Sequence, residues 1–166
     1  MPERATVKRA NRQLRRGRSP STAAGEFVRE EMHHIREGKH GAKSAKQAVA
    51  IGLSKARRAG VPLRPPRKGT VKASTRKSAR QAYAAGQRRR KPRPSRARSR
   101  RALRWLRRQP HRAASHRALA AQASRSAKLR GRRARVAAAR KAVRTKGPAA
   151  RRAAARKAAS TRRRHA

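Results

Sequence analysis

Residues 38–44, Gly-Lys-His-Gly-Ala-Lys-Ser, gather two glycines, two lysines and a hydroxyl into one short stretch. Glycines let main-chain N–H groups approach an anion closely, and nearby lysines supply charge. The chemistry on offer is phosphate binding at the start of a helix. A nucleotide-binding P-loop needs four residues between its glycines and an unbroken Gly-Lys-Ser/Thr after a strand. Here two residues separate the glycines, Ala42 interrupts the triplet, and the preceding stretch has helical periodicity. Nucleotide hydrolysis is not expected, and the phosphate in view is that of a nucleic-acid backbone. The other reading is a loop that only turns the chain.

Just upstream, Glu30/His34 and His33/Glu37 are i, i+4 pairs, with His40 shortly after. Such pairs can ligate a metal, but they also arise as ordinary pairs on a helix surface. The chain contains neither cysteine nor aspartate. A fourth ligand has no evident source, so no metal and no other cofactor is assigned. Its glutamates are spaced for helix electrostatics, and its serines and histidines form no ordered array. No catalytic residue is assigned, and an enzyme is not expected.

Cationic chemistry dominates. The 166 residues include 53 Lys plus Arg against five acids, a net charge of +48. Residues 68–166 hold 36 of the basic residues and no acid. A run of one sign repels itself and calls for a polyanion, of which nucleic acid is the most abundant. The candidate phosphate ligands are Arg16 and Arg18 in the N-terminal arm, and Lys39, Lys43 and Ser44 in the loop. Lys46, Lys55, Arg57 and Arg58 follow on the next helix. The tail adds Arg88, Arg89 and Arg90, then Arg100, Arg101, Arg107 and Arg108. Arg16-Gly17-Arg18-Ser19-Pro20 resembles the Arg-Gly-Arg-Pro core of minor-groove AT-hook peptides, with Ser19 where a proline is expected. The alternative there is a flexible basic arm. Arg96–Arg108 surrounds Trp105 with arginines, a pattern open to an anionic membrane surface, a partner's groove or an unpaired base.

The elements that position these residues are few. Val28, Met32 and Ile35 recur at i, i+4, i+7 beside Phe27, which predicts a helix from near Ser21 or Thr22 to Gly38. Ser44-x-x-Gln47 is a capping-box pattern, and Gly60 with Pro62 is a stop, so a second helix fills the interval. Its small face, Ala45, Ala48, Gly52 and Ala56, invites another helix, and a homodimer through this hairpin is one expectation. The pair is too short to be secure alone, so self-association or folding upon binding is expected to support it.

Elsewhere the chain is alanine-rich, with three aromatics in all (Phe27, Tyr83, Trp105). Low hydrophobicity with high charge predicts disorder. The expected fold is all-α: a helical hairpin at 20–63 flanked by largely disordered basic arms at 1–19 and 64–166. Stretches with helix-forming composition fall at about 72–85, 96–109, 115–130, 132–145 and 149–159, broken at Gly86, Pro92, Pro94, Pro110, Gly131 and Gly147-Pro148. They are expected to become helical as their charge is neutralised. No apolar run approaches a membrane span, and neither a secretory nor a twin-arginine signal is recognisable.

Residues 37–57 carry the pattern Glu-Gly-Lys-His-Gly-x-Lys-Ser-x-Lys-Gln-Ala-x-Ala-Ile-Gly-Leu-Ser-x-Ala-Arg. It resembles a family of small bacterial proteins with no established activity. The tail is similar in composition to those of bacterial histone-H1-like proteins, although arginine here outnumbers lysine 40 to 13. These resemblances imply a bacterial, cytoplasmic, nucleoid-associated protein. The expected function is non-enzymatic, largely sequence-nonspecific binding of duplex DNA by phosphate neutralisation. The alternatives are an RNA-binding or ribosome-associated protein and a membrane-active cationic protein.

Overall fold

The computed structural model describes residues 2–88 and 95–164, and among these every regular element is a helix. The helices are α1 (Arg4–Arg15), α2 (Pro20–Arg36), α3 (Ala45–Ala59), α4 (Ala73–Gln87), α5 (Arg96–Arg107), α6 (His116–Leu129) and α7 (Gly131–Arg164), with a 3-10 turn at His111–Ala114. The chain divides into two compact units at Gln122, inside α6.

Helices α2 and α3 pack against each other, and their ends obey local chemistry. Ser19 caps α2, its Oγ accepting from Thr22 N at 3.3 Å, with Pro20 in the first turn, where its missing N–H costs nothing. Ser44 Oγ accepts from Gln47 N at 3.3 Å, and Gln47 Oε1 accepts from Lys43 N at 2.8 Å. Gly60 closes α3 with φ 103°, a left-handed position suited to glycine. Ala48 joins Met32 and Ile35 in one apolar cluster, Gly52 meets Val28, and Ala56 joins Phe27 and Ala24 in another. Ascending numbers on α3 meet descending ones on α2, so the pair is antiparallel.

The expected dimer face is filled from within the chain. Ala48 and Ala56 are fully buried, and a Cβ on Gly52 would lie 2.7 Å from Val28 Cα. The hairpin's support is intramolecular. Within the arm expected to be disordered, Arg4–Arg15 instead form α1, which lies antiparallel along α2 and buries Thr6 and Ala10. The AT-hook-like stretch is the turn between them, with Gly17 at φ 67° and Ser19–Pro20 starting α2. On the other side α4 approaches α3 closely enough that a Cβ on Gly86 would collide with the carbonyl of Arg57. Ala113 and Ala114 of the 3-10 turn complete the second apolar cluster, and Arg36 Nε donates to Ala114 O at 2.9 Å.

The acids add ion pairs to this packing. Glu26 on α2 takes Arg9 of α1 at 3.1 Å and Arg29 at 2.8 Å. Glu3 on the flank of α1 accepts at 2.9 Å from His34 Nε2, and its own N–H donates to Glu30 at 3.3 Å. Lys55 of α3 places Nζ 2.6 Å from Glu31 and 3.7 Å from Glu30, both buried. Glu37 pairs with Lys39 at 2.9 Å. All five acids of the chain are thus engaged by neighbouring basic or imidazole groups.

The tail is helical in its described residues rather than disordered, with starts close to those expected from composition. The unit from Ala123 onward holds the end of α6 and all of α7, whose described side chains are mostly exposed. Gly147 breaks α7 with φ 65° and ψ 171°, and Pro148 restarts it, splitting the helix where the Gly-Pro pair predicts.

Candidate nucleic-acid interface

The loop at 38–44 is built differently from a free phosphate cradle. Gly41 donates its N–H to Leu106 O at 2.9 Å, and Ala42 donates to Pro110 O at 3.2 Å. The N–H of Lys43 goes to Gln47 Oε1. Three of the main-chain donors an anion would need are therefore occupied. A Cβ at position 41 would collide with the Gln109 carbonyl, which explains a glycine there in terms of packing rather than anion approach.

The same bonds create a surface that sequence alone does not show. Leu106 lies in the last turn of the basic helix α5, which Arg107 ends and Arg108 caps. Bonding its carbonyl to Gly41 brings those arginines to the loop that bears Lys39 and Lys43, and all four are exposed. Helix α5 buries none of its residues, and Trp105 and Leu103 are 47% and 39% exposed. Arg100 and Arg101 on the same helix are exposed as well.

Of the other sequence candidates, Arg16, Arg18, Ser44, Lys46, Arg58 and Arg88 are exposed. Arg89 and Arg90 lie outside the described residues. Two candidates turn inward. Lys55 is held against Glu30 and Glu31, so its charge is already balanced. Arg57 is buried, its Nε donates to Leu63 O at 3.2 Å, and burial pushes its guanidinium below the usual range. Neither is presented to a phosphate. Lys39 is exposed but paired, and Glu37 beside it holds its ammonium above the ordinary value.

In the second unit Arg132, Val136, Arg140 and Arg144 recur every four residues along α7, with Arg133 alongside. This face was not singled out from sequence. Its signal was present as helical spacing within an acid-free run. Among the described residues no helix is long and apolar enough to cross a membrane.

No protein-family model, curated protein or solved structure matches the chain.

Proposed function

We propose that this is a non-enzymatic protein that binds duplex DNA through its phosphates, with little sequence preference, as a nucleoid-associated protein of the cytoplasm. The observation that carries this reading is the separation of charge. All five acids are engaged among neighbouring groups of the first 55 residues, so residues 68–166 carry 36 basic groups with no acid of their own. Phosphates supply the missing countercharge, and duplex DNA offers one per about 1.7 Å.

Contacts of this kind fix position without reading bases. Arg107, Arg108, Lys43 and Lys46 on the first unit, and the arginine stripe of α7 on the second, are the proposed ligands. Helix in the tail is expected to strengthen as its charges are neutralised, because α7 has little packing to hold it. One observation favours RNA as a second target: Trp105 is half exposed among arginines and offers a stacking face to an unpaired base.

Competition binding at matched salt, with duplex DNA, structured RNA and anionic vesicles as competitors, tests the assignment. Duplex DNA should displace the labelled duplex best. Preferential displacement by RNA or vesicles would overturn it in favour of that target.

A further inference from the structure

We infer that Glu31, His34 and His40 form a binding site for a divalent transition-metal ion of the Zn2+ class, inside the first unit. One carboxylate oxygen of Glu31 and one ring nitrogen from each histidine lie within 4.8 Å of one another. Glu31 and His34 are i, i+3 on α2, which puts them on one face. His40 comes from the loop that the Gly41–Leu106 and Ala42–Pro110 bonds pin in place.

The burial and bonding of each donor point the same way. Glu31 is fully buried, and neither of its carboxylate oxygens has a hydrogen-bond partner. Lys55 stands 2.6 Å from Oε2 as a charge, not as an aligned donor, which leaves Oε1 facing His40. His40 Nδ1 lies 3.2 Å from the carbonyl of Gly41, so a proton held there leaves the lone pair on Nε2. Nε2 is 3.5 Å from Glu31 Oε1, too far for a charge-assisted hydrogen bond and arranged as two lone pairs facing each other. A cation between them resolves that arrangement.

His34 has a matching support. Its Nε2 lies 2.9 Å from Glu3 Oε1, and a proton on that side puts the ring's lone pair on Nδ1. A ligating histidine that gives its other N–H to a carboxylate or a main-chain carbonyl is the usual outer arrangement of a metal site. Two imidazoles and a carboxylate suit Zn2+ and its neighbours better than Ca2+ or Mg2+. Zinc bonds of about 2.0–2.2 Å bring ligand atoms to about 3.4 Å apart, a separation that the Glu31–His40 pair at 3.5 Å already has. Water fills the remaining position.

The test uses the full chain with Zn2+ at high salt. Long-range proton–nitrogen NMR of the histidine side chains should show one equivalent of Zn2+ shifting the ring nitrogens of His34 and His40, and of no other histidine. Equilibrium dialysis should give one ion per chain, with affinity at least tenfold weaker in His40→Gln and unchanged in His116→Gln, an exposed residue outside the cluster. The NMR experiment needs no variant, so a poorly folded His40→Gln does not blunt the test. Saturation without a shift at His34 and His40, or shifts first at other histidines, would overturn the site.

Discussion

Lys55 Nζ lies 2.6 Å from Glu31 Oε2, and both side chains belong to the contact between α2 and α3. That pairing removes Lys55 from the phosphate ligands and makes it a structural residue. Lys55→Ala leaves Glu31 buried with its nearest cation gone, which should cost about 3–5 kcal/mol of stability. Denaturant unfolding of the first unit measures it. A Glu31→Met/Lys55→Met chain should recover part of the loss, because it removes the closer buried pair while Glu30 stays buried without Lys55.

Gly41→Ala should separate α5 from the loop. The added methyl collides with the Gln109 carbonyl, and relief requires breaking the bonds from Gly41 to the last turn of α5 and from Ala42 to Pro110 just beyond it. Overpacking of this kind costs about 1–3 kcal/mol. If the joined Lys43/Arg107/Arg108 surface contributes to binding, affinity for duplex DNA should fall although no cation is lost. Unchanged affinity with the loop detached would remove that surface from the account.

Much of the α2–α3 pair was legible in the sequence because its signals are local. Ser44 with Gln47, Gly60 and the Val28/Met32/Ile35 spacing all act within one or two turns. The packing of α1 was missed although Val7, Ala10 and Leu14 recur at i, i+3, i+7, because that short stripe is set among basic residues whose charge outweighed it. Glu30 and Glu31 read as favourable charges near a helix start, but their burial depends on Lys55, more than twenty residues away. The Gly41–Leu106 bond likewise joins distant segments without a local signature. For the same reason Lys55 and Arg57 read as phosphate ligands until the fold turned them inward.

Acid should loosen α1 and the loop. His34 holds the Glu3 carboxyl below its ordinary value of 4.5, and Lys39 does the same for Glu37. A carboxylate lowered in the folded state contributes stability above its unfolded pKa and loses it as pH falls through the folded value. Stability should therefore be level above about pH 5 and decline below about pH 4.5. Both groups are exposed, so the change should be small, and Glu3→Gln/Glu37→Gln should flatten it. A decline of equal size in that variant would assign the acid response to other groups.

Helix α7 has little to pack against and strong self-repulsion between its arginines. Circular dichroism of the full chain should show helix content rising when duplex DNA or polyphosphate is added at low salt. A spectrum that does not change on neutralisation would mean that alanine and arginine propensity alone holds the tail helical.

The central claim is that phosphate neutralisation dominates binding, and salt dependence tests it most directly. The 36 tail cations match roughly 60 Å of duplex, and engagement of a third of them predicts a slope of log K against log salt of about −11. Titration of duplex DNA with the full chain across a salt series gives this slope. A value near −11 is the result expected, and one shallower than about −4 would contradict the account.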